Sequence, residues 1–287
     1  MERTELTGQL ERAEGLIYQG EAELAVELLA RLAEDAEEYA DRNCRATNEV
    51  QWFSFASAFE RLAYRRVEDD PRELRDVGEP FDRLYGDLAL AQVHAGDYDA
   101  ATEALRQAVR WNPMECSYRL NLADLYRVAG DMQEYLGLTF SVFARASDAR
   151  HLARAFVNFA GWFRAQERPL SAAAALRAAR TLDVRDGSIE ASLDQAQGAD
   201  HDPDLVDDAQ MADLLAEEGL PAGANAEVVV CLIVSAMSAA EEGDRPEAAR
   251  LMLRARDLVG EGALRDLVAL VNRTKAAEGG DDATTEA

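Results

Sequence analysis

Lysine is nearly missing from this chain: Lys275 is the only one in 287 residues, and the remaining cations are arginines. Cysteine is scarce too. Cys44, Cys116 and Cys231 are odd in number and far apart, which argues against a disulfide framework and fits a reducing cytoplasm. The three histidines, His94, His151 and His201, form no HExxH or i, i+4 pair, and there is no CxxC, so zinc and other metals have no support. Neither a GxSxG elbow nor a GxxxxGK[ST] loop occurs. Gly260-Glu261-Gly262 is a lone GxG that follows a helical pattern, so no dinucleotide cofactor is implied. Met1 to Glu5 starts no signal peptide. The most apolar run, Val228 to Ala240, falls short of the roughly 20 residues a bilayer needs and is expected as a buried helix. Prolines are few and no alternating run is sustained, which argues against a sheet.

Carboxylates are plentiful. The net charge is −25, which repels phosphate backbones and anionic lipid surfaces, so nucleic acid and membrane are not expected partners. Carboxylates this numerous give no warrant for pairing any two as acid and base, and no motif indicates catalysis. The segment DHDPDLVDD at 200–208 opens with calcium-loop spacing at Asp200, Asp202 and Asp204. Leu205 then stands where the turn needs glycine and Met211 where a bidentate glutamate belongs, so a solvated acidic loop is expected there.

The chain also holds a repeat. Around Gly96-Asp97-Tyr98, Tyr85, Leu88, Ala89 and Gln92 precede the turn at helical spacing, and Ala101, Leu105 and Ala108 follow it before Pro113. The small–large–small stripe lets two helices approach closely, Gly96 can end the first helix, and Asp97 can cap the second. A shift of 34 residues superimposes Gly130-Asp131-Met132, preceded by Leu122, Ala123 and Tyr126. Related units are expected over 6–39, 153–186 and 229–262, the one at 153–186 with Glu167-Arg168-Pro169 in place of Gly-Asp. Ala25 to Ala101 and Ala172 to Ala248 both span 76 residues, two repeats plus a small insertion, so degenerate hairpins are expected about 40–81 and 187–228. The first gap predicts a long helix from about Thr47 to Val67, with Trp52, Phe55, Phe59 and Leu62 on a core stripe and Phe53 and Tyr64 outside it; an aromatic peptide pocket is the alternative. The second predicts helices at Ser188–Gln197 and Ala209–Glu218. A capping helix at Ala263–Ala276 and a disordered acidic tail at 277–287 complete the expectation.

This period and layout resemble the tetratricopeptide repeat (TPR) family, most specifically over 82–186. The resemblance implies an all-α superhelix of helical hairpins, a single solenoid over 1–276. It also implies a concave groove lined by first helices, whose outward face maps to Arg83, Asn121, Arg127, Arg154, Asn158 and Arg164. Four arginines and two asparagines there suit a carboxylate or an acidic peptide. Of the five-residue clamp that chaperone-binding members use for a C-terminal carboxylate, Asn121 and Arg154 match, whereas Gly86, Leu90 and Asn158 depart. The expected function is a non-catalytic cytoplasmic scaffold that binds a protein or peptide without a cofactor. A ligand-responsive regulator is the alternative, and an enzyme comes third.

Overall fold

A computed structural model describes residues 3–281, with side chains from 5 to 273. The chain divides into two compact units, Met1–Leu138 and Thr139–Ala287.

The first unit opens with α1 (Arg3–Tyr18) and α2 (Ala22–Asn43), continues through β1 (Val50–Phe53), α3 (Ala58–Val67) and β2 (Glu73–Asp76), and closes with α4 (Phe81–Ala95), α5 (Tyr98–Trp111), α6 (Cys116–Ala129) and the start of α7 (Met132–Phe143). The repeat signature forms as its residues dictate. Gly96 ends α4 at φ 83°, and the Asp97 amide donates back to the Gln92 carbonyl at 2.9 Å. Asp97 then caps α5 by accepting from the Ala100 amide at 3.1 Å. Gly130 (φ 82°) and Asp131 repeat the device between α6 and α7, with Asp131 N donating to Tyr126 O and Asp131 Oδ1 accepting from Glu134 N. Ala101, Leu105 and Ala108 are buried, so α5 packs closely on its neighbours through the small–large–small stripe.

The expected long helix from Thr47 to Val67 does not form. Its first half is strand β1, which pairs in parallel with β2 in the register Val50 with Glu73 through Phe53 with Asp76; only α3 is helical. The all-α architecture therefore carries a small β-α-β insert. Phe53 and Tyr64, expected off the core stripe, are buried, and their ring centroids lie 4.6 Å apart. Phe55 stacks on Phe53 at 4.7 Å. Ser57 stops the helix pattern from running backward: it is the N-cap of α3, accepting from the Glu60 amide.

The second unit takes in the end of α7, then α8 (Ala149–Ala165), α9 (Pro169–Thr181), α10 (Gly187–Ala196), a 3-10 turn (Pro203–Leu205), α11 (Asp208–Glu217), α12 (Ala226–Glu241) and α13 (Arg245–Asp281). Phe143 packs on Phe156 and Phe159, and Ala172 to Ala175 are all buried in α9. Helices α10 and α11 lie where the sequence places them. Asp200, Asp204 and Asp207 of the segment between them are exposed, as expected, but His201, Pro203 and Val206 are buried, and Arg177 and Arg180 of α9 pair with Asp208 and Asp204 at 2.7 and 2.8 Å. Two arginines thus compensate the acidic run and hold it against α9. Helix α12 buries Val228, Val229, Leu232 and Ile233, as its composition requires. Gly243 and Asp244 close it with the same turn as Gly96 and Asp97. Helix α13 bends at Gly260, whose φ of 79° and ψ of 163° interrupt the helical path just before the expected capping helix. It continues to Asp281, into the segment expected as a disordered tail; 282–287 lie outside the described residues.

Candidate functional site

The six residues mapped to a groove fall in both units. In the first unit, α4 buries Leu84, Tyr85, Leu88 and Ala89 and turns Arg83, Gly86 and Leu90 away from that core. Arg83 is fully engaged: Nη2 and Nε donate to Glu14 Oε1 at 2.5 and 2.9 Å, and Asp87 lies 3.8 Å away. Asp87 itself is pushed up to about 7 by burial, with neighbouring Glu14 adding to the shift. Arg83 therefore sits among carboxylates that already balance it. On α6, Asn121 and Arg127 are exposed, and Arg127 Nε lies 3.7 Å from Asp124 Oδ1.

In the second unit, α8 buries Leu152, Ala153, Phe156, Phe159 and Phe163. Arg154 and Asn158 stand one turn apart on the opposite side, half-buried, and Arg164 is exposed in the last turn. Asp186, which caps α10, is held below its ordinary range by the Ser188 hydroxyl and two backbone amides, and the charge of Arg154 adds to the effect. The structure thus assembles Arg154 and Asn158 on one helix face, with Arg164 beyond them.

A polar cluster absent from the sequence expectations lies inside the first unit. Ser54, Glu60, Asp82 and Asn112 are all buried. Asn112 Nδ2 donates to Glu60 Oε2 and to Asp82 Oδ2, each at 3.0 Å. Glu60 Oε2 also accepts from the Ala56 amide at 2.7 Å. Ser54 has one hydroxyl proton and two acceptors: the Glu79 carbonyl at 2.7 Å and Asp82 Oδ1 at 3.0 Å. When that proton goes to the nearer carbonyl, Asp82 satisfies Ser54 by carrying a proton of its own. Burial raises the Asp82 pKa, consistent with that arrangement, and pushes Glu60 up to about 7. A cavity of about 240 Å3 opens beside this cluster, lined in part by Ser54, Asp82, Asn112, Glu115 and Tyr118. Two carboxyls titrating above their usual range are what acid–base chemistry requires. Here both are spent on groups of the chain itself, and the result is to fasten the β-α-β insert to α4 and to the end of α5. One signal was visible in the sequence: Ser57-x-x-Glu60 has the spacing of a helix start, which places Glu60 in the first turn of a short helix.

The three cysteines are buried and form no disulfide. Among the described residues no group of three His, Cys, Asp or Glu side chains could hold a metal, and no helix is long and apolar enough to cross a membrane. No family model matches the chain, and no curated protein is similar to it. Similarity is found among solved structures. One is a Podospora anserina kinesin light chain protein with nearly identical TPR-like repeats, 17% identical, covering 89% of this chain and 95% of that one at a TM-score of 0.39. Another is a single-substitution variant of that protein, also 17% identical, with 95% and 99% covered at a TM-score of 0.40.

Proposed function

We propose that the chain is a non-catalytic interaction scaffold of the cytoplasm that holds a protein or peptide segment on the outward faces of its first helices. One observation carries this reading. The same Gly-Asp turn closes α4 onto α5 and α6 onto α7, 34 residues apart, so equivalent helix faces recur at a fixed pitch while the opposite faces are buried. Such a surface binds by many modest contacts on a largely preformed support. Arg154, Asn158 and Arg164 are the residues proposed to meet an acidic or carboxylate group of the partner; Arg154 and Asn158 stand half-buried opposite Leu152, Phe156 and Phe159, and Arg164 is exposed in the last turn of α8. With a net charge of −25, duplex DNA is not a proposed partner, and its retention by the pure protein at physiological salt would contradict that part of the reading.

Selection of peptides from a displayed random library tests the proposal. Acidic sequences should be enriched, bind in calorimetry, and weaken with rising salt. The double variant Arg154→Ala, Arg164→Ala should lose that binding with little change in thermal stability. Enriched peptides that lack acidic groups, or that bind the double variant equally, would remove these arginines from the site.

A further inference from the structure

A cavity of about 720 Å3 in the second unit lies where the start of α8, the connection from α9 to α10 and the bend of α13 come together. Three arginines from these three segments line it, Arg150, Arg185 and Arg256, together with three carboxylates, Asp183, Asp257 and Glu261. In a chain with 55 carboxylates and 30 Lys plus Arg, many arginines have a carboxylate at hand. Arg150 pairs with Asp148 at 2.8 Å, and Arg256 meets Asp257 through Nε and Nη2, which leaves Nη1. Glu261 in the cavity wall is drawn to Arg265 at 3.3 Å. Arg185 is exposed and forms no ion pair among the described residues. The cavity wall also includes Gly260, in a backbone conformation that L side chains rarely adopt.

We infer that this cavity is a binding site for the oxyanion group, carboxylate or phosphate, of a small molecule, with Arg185 as its principal ligand and Arg256 as the second. The volume is that of a pocket for a single compact ligand. A guanidinium with no carboxylate partner offers two parallel N–H donors to such an oxyanion and carries the charge that attracts it. Val184 and Val259, both half-buried in the wall, give the rest of the ligand an apolar surface. Occupancy would bridge the α9–α10 connection and the last helix at its bend, so the bound form would resist unfolding more than the free form. The site is separate from the scaffold surface: Arg154, Asn158 and Arg164 do not line this cavity.

The test uses the full chain with inorganic phosphate and, in a parallel arm, citrate, each against sodium chloride at matched ionic strength. One or both anions should bind saturably in calorimetry and raise the unfolding temperature. Arg185→Ala and Arg256→Ala should each weaken that binding by about tenfold or more. Arg31→Ala, an exposed change on α2, should leave it intact, and circular dichroism should show every variant folded. A response to phosphate alone assigns a phosphate ester, and a response to citrate alone assigns a carboxylate. Absence of saturable binding by either anion overturns the inference, as does binding that survives the loss of both arginines. Should an alanine variant fail to fold, Arg185→Gln removes the charge with less change in bulk and is read by the same criteria.

Discussion

Tyr118 lies so close against Gly86 that a Cβ on the glycine would stand 2.6 Å from Tyr118 Cε1. The contact joins α6 to α4, and a ring wedged between two helices has little room to retreat. Gly86→Ala is therefore expected to destabilise the protein by about 1–3 kcal/mol. Gly161, also inside a helix, has nothing within 4 Å of its would-be Cβ. Alanine there should gain about 0.5–1 kcal/mol through helix propensity. Denaturant melts of the two variants separate close approach from propensity.

Stability should fall as pH rises through neutrality. Glu60 is raised from 4.5 to about 7, mainly by burial, so the folded state favours its protonated form. The stability associated with that proton is fully present below about 4.5 and is lost as pH climbs through about 7. Glu60→Gln keeps an acceptor for Ala56 and Asn112 and removes the charge. It should reduce this dependence, leaving the share of Asp87, which is also raised to about 7, and stabilise the protein at pH 8 by on the order of 1–3 kcal/mol. Thermal melts at pH 5, 6.5 and 8 in constant ionic strength measure it, and an unchanged pH slope in the variant would show that Glu60 is not the titrating group.

Glu167 occupies the left-handed region at φ 57°, with the Arg168 amide donating to the Phe163 carbonyl at 2.9 Å. This is the turn that Gly96 and Gly130 make elsewhere. Glu167→Gly relieves the crowding of Cβ but frees the unfolded chain, and the difference should favour the variant by up to about 1 kcal/mol. A lower melting temperature for the variant would refute this.

Phe53 is buried between Phe55 and Tyr64 in the insert. Phe53→Ala should cost about 3–5 kcal/mol if the insert folds together with the helices around it. Hydrogen exchange localises the effect: raised exchange confined to 50–76 would mean that the insert opens by itself.

The helical hairpins were legible in the sequence because their signals are local. Gly-Asp at a turn, alanine at i, i+4 and i+7, and a 34-residue pitch each report on a few neighbouring residues. Helices α10 and α11 were legible for the same reason. The insert was not, because Trp52, Phe55, Phe59 and Leu62 satisfy a helical spacing by coincidence, while the pairing that makes Val50–Phe53 a strand comes from Glu73–Asp76, farther along the chain. The buried cluster was hidden on similar grounds: Asn112 reaches Glu60 and Asp82 across 52 and 30 positions. Sequence spacing put Arg154 and Arg164 on an outward helix side; Arg154 is half-buried and Arg164 exposed. It could not show that Arg83 is taken by Glu14, 69 positions away, or that Arg185 and Arg256 share a cavity.

The turn at Glu167 bears on how such chains diverge. The geometry closing α8 onto α9 is kept at Glu167, where glycine makes the same turn at Gly96 and Gly130, so in this chain the turn's backbone torsion does not depend on glycine. A turn that tolerates glutamate in a glycine conformation opens that position to charge, polarity and eventually a contact with a partner, while the hairpin on either side keeps its register. Drift at the turns can then erase the letters by which a repeat is recognised and leave the stacking of its helices intact.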